Sequence, residues 1–168
     1  KVSGNIIIDS KAFYRDAASG IVNQGSFPPR VNQKTQFTIH WIVKNYTTDM
    51  SNIKIKSFLG GGVKITSLVK SNIESIPQYN NDTGEVIWDI LAIKAGKGFL
   101  NTPAEAIFQI EAEPSSLEVG KYKPLLGETF LEAHDDFVNV TVLSNDTPLT
   151  TDLIDDPTVD RNQGIIVK

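Results

Sequence analysis

The chain of 168 residues contains no cysteine, which excludes disulfides, zinc–thiolate sites and thiol catalysis outright. Histidine is nearly as scarce, with two residues, His40 and His134. They stand so far apart in sequence that an imidazole-built zinc site is not expected. Positive charge is not in excess either. Sixteen Lys and Arg against twenty Asp and Glu give a net charge of −4, which leaves no basic footprint for nucleic acid or anionic lipid. No apolar run reaches the ~18 residues of a membrane span, so no membrane insertion is expected. Lys1-Val2-Ser3-Gly4 leads into Asn5-Ile6-Ile7-Ile8-Asp9, a stretch too short for a signal-peptide core. The first residue is not Met, so a mature or excised chain is expected. Helical periodicity is missing as well: no long window holds apolar residues at i, i+3, i+4 and i+7.

What is present is alternation. Over 35–44, Phe37, Ile39, Trp41 and Val43 share one face, while Thr38, His40, Ile42 and Lys44 share the other. Such a pattern describes a half-buried strand, with His40 on its polar face. Residues 52–59 set Ile53, Ile55 and Ser57 against Lys54, Lys56 and Phe58. Residues 105–113 set Ala106, Phe108 and Ile110 against Ile107, Gln109 and Glu111. Further strands are expected at 5–14, 63–69, 84–90, 125–134, 137–143 and 163–167. Turn chemistry separates them at Gly60-Gly61-Gly62, Asn80-Asn81-Asp82-Thr83-Gly84, Ala95-Gly96-Lys97-Gly98 and Pro28-Pro29. Short strands at this spacing predict an all-β fold of two packed sheets, a sandwich or barrel, with little or no helix. The expected organisation is one domain over 1–168: an N-terminal strand and long polar loop over 1–34, a sandwich core over 35–143, and an acidic linker with a terminal strand over 144–168. A chain of this size buries roughly 70% of its unfolded surface and needs no covalent staple.

The stretch from about 35 to 114 resembles the conserved-repeat β-sandwich of bacterial and archaeal cell-surface proteins. The likeness runs through Gln36-Phe37-Thr38-Ile39-His40-Trp41, Val43-Lys44-Asn45, Met50-Ser51-Asn52-Ile53-Lys54-Ile55 and Gly62-Val63. Its most specific part is Tyr79-Asn80-Asn81-Asp82-Thr83-Gly84-Glu85-Val86-Ile87-Trp88-Asp89-Ile90, followed by Ile93-Lys94-Ala95-Gly96 and Ala106-Ile107-Phe108-Gln109-Ile110. Gly25-Ser26-Phe27-Pro28-Pro29-Arg30-Val31 and Thr151-Asp152-Leu153-Ile154-Asp155-Asp156-Pro157 resemble the longer form seen in large surface proteins of uncultivated bacteria. Ser57-Phe58-Leu59-Gly60 departs from the pattern by lacking a Pro after the Leu. The resemblance implies an immunoglobulin-like antiparallel sandwich, export to the cell surface and modular display. It brings no catalytic or cofactor-binding residues with it.

Tests for chemistry agree. Gly60-Gly61-Gly62-Val63-Lys64 is followed by no Gly-Lys-Ser/Thr and opens no helix, so it is not a phosphate cradle. No Gly-x-Ser-x-Gly elbow offers a nucleophile, and His134, beside Asp135 and Asp136, reads as a surface strand-end residue. The acidic loops Asp135-Asp136, Asp152, Asp155-Asp156 and Asp160 suit calcium only weakly, because no spaced Asp-x-Asp-x-Asp-Gly loop exists. Structural calcium near 155–160 is the minor reading, and a solvated acidic linker the major one. Trp41 and Trp88 are expected in the core, while Tyr46 and Tyr79, at strand ends, are candidate exposed contacts. Asn45, Asn81, Asn139 and Asn145 head Asn-x-Ser/Thr sequons. The expectation is a non-catalytic extracellular module, a repeat or subunit of a stalk, surface layer or filament whose partners are neighbouring copies or modules. The alternative is an adhesin-type module binding carbohydrate or a host or partner protein. The strands at the two ends are expected to pair within the domain; in the sharper form of the first reading, residues 5–9 instead add as a strand to the open sheet edge of a neighbour.

Overall fold

The computed structural model describes residues 5–168. Eleven strands follow in chain order: β1 (Ile6–Phe13), β2 (Thr35–Asn45), β3 (Met50–Phe58), β4 (Val63–Ser71), β5 (Gln78–Asn80), β6 (Glu85–Ile93), β7 (Ala104–Ala112), β8 (Pro124–Leu126), β9 (Thr129–Asp135), β10 (Val140–Asp146) and β11 (Leu149–Thr150). Among the described residues, helix is confined to two single 3₁₀ turns, Ala17–Ser19 and Ser116–Glu118. A four-stranded sheet in the order β1-β2-β7-β4 faces a five-stranded one in the order β10-β9-β3-β6-β5, and β11-β8 form a small third ladder. Every ladder is antiparallel. This is an all-β sandwich, one of the two architectures the alternation predicts, and it is immunoglobulin-like, as the resemblance implies.

The apolar face of β2, namely Phe37, Ile39, Trp41 and Val43, joins Ala104, Ala106, Phe108 and Ile110 of β7 in one core with Ile53 and Ile55 of β3, Val86, Trp88 and Ile90 of β6, and Leu131 and Ala133 of β9. Trp41 meets Phe108 edge to face, with ring centroids 5.1 Å apart. The Trp88 indole N–H donates to the Ser75 carbonyl at 3.2 Å. Both tryptophans are therefore core residues.

Four expectations need correction. The run 125–134 is two strands, because the chain turns at Gly127 to let β8 pair with β11 while β9 joins β3. Residues 163–167 form no ladder. Ile165 bridges Tyr122 and Val167 bridges Arg30, so the segment touches two different partners once each. The strand at 35–44 is not half-buried: residues 15–24 lie over its polar face, where Thr38 and His40 are buried too. Finally, residues 5–9 are not available for donation. Ile6 to Phe13 pair residue by residue with Asn45 to Thr38 of their own chain.

The outer edge of β1 is closed as well. The Ile8 N–H donates to Ser144 Oγ at 3.2 Å, and that of Ser10 to Asp146 Oδ2 at 2.8 Å. Beyond the strand, the Tyr14 and Arg15 N–H groups donate to Asp156 Oδ2 at 2.9 and 3.0 Å. Side chains of β10 and of the C-terminal loop thus occupy donors that an incoming strand would need. Edge strand β4 carries a register shift between Ile65 and Val69, a bulge that interrupts its pairing pattern.

Candidate functional site

The two ends of the sandwich are the first candidate regions. At the leading end, Ile6 sits opposite Asn45, and the Tyr46 N–H donates to the Asn5 carbonyl at 2.9 Å. The loop after β6 docks here, with the Asn45 N–H donating to the Lys97 carbonyl at 2.8 Å. The Asp49 carboxylate accepts the Ala95 N–H at 2.9 Å, and the Asp49 carbonyl accepts the Asp136 N–H at 3.0 Å. Asp49 therefore ties that loop to the β9–β10 turn. The Ala95 N–H and, more weakly, Lys94 hold its carboxyl below the ordinary value. Phe99, stacked edge-on to Tyr46, is 72% exposed, and Leu100 and Phe137 are 83% and 73% exposed.

At the trailing end, Val167 exchanges hydrogen bonds with Pro29 and Val31, both 3.0 Å, and Arg30 holds the Lys168 carbonyl at 2.7 Å. The Asn32 N–H reaches the Pro114 carbonyl at 2.9 Å, beside the Thr35–Ala112 pair that opens β2. Residues 5 and 168 therefore lie at opposite ends of β2, whose 11 residues span roughly 35 Å at ~3.3 Å per residue. Also at this end is Lys123, whose side chain is 2% exposed. Its ammonium donates to both Glu118 oxygens at 3.0 Å and to the Gly61 carbonyl at 2.6 Å. Burial draws the Glu118 carboxyl upward, but the Ser115 N–H and Lys123 outweigh it and hold Glu118 below its ordinary value.

The densest polar constellation lies on the outer face of the four-stranded sheet, beneath residues 15–24. Asp16 Oδ2 stands 2.5 Å from His40 Nε2 and accepts the Thr38 hydroxyl at 2.6 Å. His40 Nδ1 lies 3.1 Å from Glu105 Oε2. Gln109 Nε2 reaches Asn23 Oδ1 at 3.0 Å, and Asn23 Nδ2 donates to the Tyr14 carbonyl at 2.9 Å. Lys70 Nζ donates to the Ser19 carbonyl. Burial alone would raise the Asp16 carboxyl, yet hydrogen bonds from His40, Thr38 and Ser19 and the His40 charge together hold it low. The arrangement offers no base to a substrate, since both ring nitrogens are engaged by carboxylates. The sequence did not point to this cluster: Asp16 falls in the stretch read as loop, and nothing local to β2 says that its polar face is covered.

The remaining candidates scatter. His134 lies half-buried on β9, opposite Ser51 of β3 and Thr141 of β10, in the sheet that does not contain His40. Gly60 fits against β8, where a Cβ would run into the Pro124 carbonyl; the glycine run therefore serves close backbone approach. Asp156, in the calcium reading, spends its carboxylate on the N–H groups of Tyr14, Arg15 and Thr158. Burial pushes the Asp155 carboxyl up, with Asp9 and Asp146 adding to it and Lys11 opposing. Among the described residues, no three His, Asp or Glu side chains gather in a way that could hold a metal ion. Asn45 is buried, with its amide donating to the Thr48 and Ile93 carbonyls at 2.6 and 3.1 Å. Its sequon is thus a structural one, whereas Asn81, Asn139 and Asn145 are exposed. Half-buried Tyr79 borders an open groove of about 800 Å³ along β5, with Glu74, Asn80, Asn81, Asp82 and Asp89.

No protein-family model matches the sequence, and no curated protein matches it significantly. Solved structures do share the architecture. BcpA*(D312A), the major pilin subunit of Bacillus cereus, superposes with a TM-score of 0.51 at 12% identity, over 87% of this chain and 40% of that one. The full-length major pilin SpaD from Corynebacterium diphtheriae gives 0.46 at 9% identity, over 85% and 34%. A GH20 exo-β-N-acetylglucosaminidase from Vibrio harveyi gives 0.43 at 8% identity, over 84% and 18%. The chain spans less than half the length of each. At such identity the likeness is one of fold, and the fold is the β-sandwich found in a pilin subunit.

Proposed function

We propose that the chain is a non-catalytic structural module displayed outside the cell, one repeat or subunit of a stalk, surface layer or filament, and a long form of the conserved-repeat sandwich. The observation that carries this reading is the placement of residues 5 and 168 at opposite ends of β2. Modules joined through such ends extend into a line. A head-to-tail contact propagates as a fibre wherever its rotation does not close a ring. The spent nitrogens of His40 support the absence of catalysis, and the pilin fold is compatible with load-bearing service. Its partners are then neighbouring copies or modules of the same assembly. Small-angle scattering from two copies joined head to tail tests the reading. A maximum dimension near twice that of one copy supports it, and a folded-back pair of little greater length contradicts it.

The groove beside Tyr79 favours one second reading, a carbohydrate-binding module. An aromatic ring flanked by amides and carboxylates suits sugar faces and hydroxyl pairs. Glycan screening of the wild type and Tyr79→Ala decides it: binding lost in the variant would establish it, and no binding by the wild type would remove it.

A further inference from the structure

We infer that the groove along β5 receives the loop 94–100 of a second copy of this chain, which gives the groove a protein occupant in place of a sugar. The inference rests on the reading of the chain as one unit of a line, and it names the two surfaces that meet. β5 is the edge of the five-stranded sheet, paired on one side to β6. The groove of about 800 Å³ beside it sets Ile76, Tyr79 and Ile87 among the carboxylates of Glu74, Asp82 and Asp89. Apolar floor and negative rim together call for an apolar side chain flanked by cations.

The loop after β6 supplies that combination. Lys94 and Lys97 stand beside Phe99 and Leu100, and no acidic residue lies between 94 and 100. Phe99 is 72% exposed and Leu100 83%. Their backbone is fixed nonetheless. Asn45 donates its N–H to the Lys97 carbonyl and accepts the Gly96 N–H, both at 2.8 Å. The Gly96 carbonyl accepts the N–H groups of Phe99 and Leu100 at 3.0 and 2.8 Å. Gly96 and Gly98, at φ 83° and 87°, make this tight turn in a region that side chains disfavour. An apolar pair held out on a rigid loop loses little freedom on docking, which favours association.

The charges left over on the two surfaces are opposite. Lys94 pairs with Asp49 at 3.4 Å and Asp89 with Lys54 at 3.8 Å, and such solvent-exposed pairs exchange partners at small cost. Among the described residues, Glu74 and Asp82 have no cationic partner, and Lys97 has no anionic one. Asn81 and Asp82 form the trailing-end mouth of the groove, in the turn before Glu85, whereas the loop starts after Ile93. The nine residues of β6 hold these two sites about 30 Å apart in one copy. The loop therefore reaches this mouth only on another copy. Loop and groove are different surfaces, so each contact leaves one of each free and the contact repeats along a line.

Carbodiimide coupling of the wild-type chain, half of it ¹⁵N-labelled, tests the inference, because it joins amines to carboxylates in direct contact. Peptides joining Lys97 to Asp82 or Glu74, with one labelled and one unlabelled half, are the expected product. The chain has no cysteine, so Asn81→Cys combined with Leu100→Cys gives a second readout: mild oxidation should produce a ladder of dimers, trimers and larger species. Adding Lys97→Glu should cut that ladder about fivefold or more by setting like charges together, and adding Asp82→Lys as well should restore it. Linear arrays that yield neither the mixed-label peptides nor the ladder overturn the inference and leave the assembly reading standing. A ladder that stops at the dimer overturns it too, since it signals reciprocal pairing. A chain that stays monomeric and unlinked at every concentration overturns both the inference and the reading beneath it.

Discussion

Lys123 is held by Glu118 and the Gly61 carbonyl, and removing the carboxylate would leave a nearly fully buried ammonium with one partner. Glu118→Ala is therefore expected to cost about 3–5 kcal/mol, whereas replacing both residues with apolar ones of similar size should be close to neutral. Urea midpoints of the two variants check the contrast. Asp156 is different in kind, because it neutralises no cation but collects three backbone N–H groups. Burial pulls its carboxyl up, yet those hydrogen bonds and the Thr158 hydroxyl hold it down. Asp16, Glu118 and Asp156 are all depressed. Each contributes stability that is fully present above its unfolded-chain value and is lost as pH falls through its folded value. Denaturant midpoints should therefore decline below roughly pH 4. Asp156→Ala should lower stability at neutral pH by about 1–3 kcal/mol and flatten that acid decline. A decline as steep as in the wild type would count against this role for Asp156. None of these partnerships was legible in the sequence, where Asp16, Lys123 and Asp156 look like solvated charges. Their partners lie on other elements, and spacing carries no record of them.

Among the elements, the long alternating strands were legible because one face of each is committed to the core. Phe37-x-Ile39-x-Trp41 and Ile53-x-Ile55 read correctly for that reason. β5 and β11, of three and two residues, are too short to show a period. Ile165-Ile166-Val167 has strand composition, yet its neighbours Tyr122 and Arg30 belong to different segments, so no ladder forms. The closed edge of β1 yields a prediction at this scale. Ser144→Ala combined with Asp146→Ala frees the Ile8 and Ser10 donors and restores an open edge. The double variant should self-associate at concentrations where the wild type does not, which sedimentation velocity would show as a shift to faster-moving species. An unchanged sedimentation profile would mean that the edge is protected by something other than these side chains.

For the whole molecule, alternation and turn chemistry identified an all-β fold, sandwich or barrel, but they contain no information on where the ends emerge. That placement comes from two sets of contacts far apart in sequence, Ile6 with Asn45 and Val167 with Pro29 and Val31. It is also what turns a common fold into a candidate for end-to-end assembly. The exposed Phe99, Leu100 and Phe137 at the leading end are where a preceding copy would sit in such a line. The most direct test is the assembly state of the chain itself, by light scattering together with electron microscopy across a range of concentrations. Linear, end-to-end arrays, shortened by Phe99→Ser combined with Phe137→Ser, are the predicted result. Compact closed dimers built through the sheet faces, insensitive to those substitutions, would contradict the account.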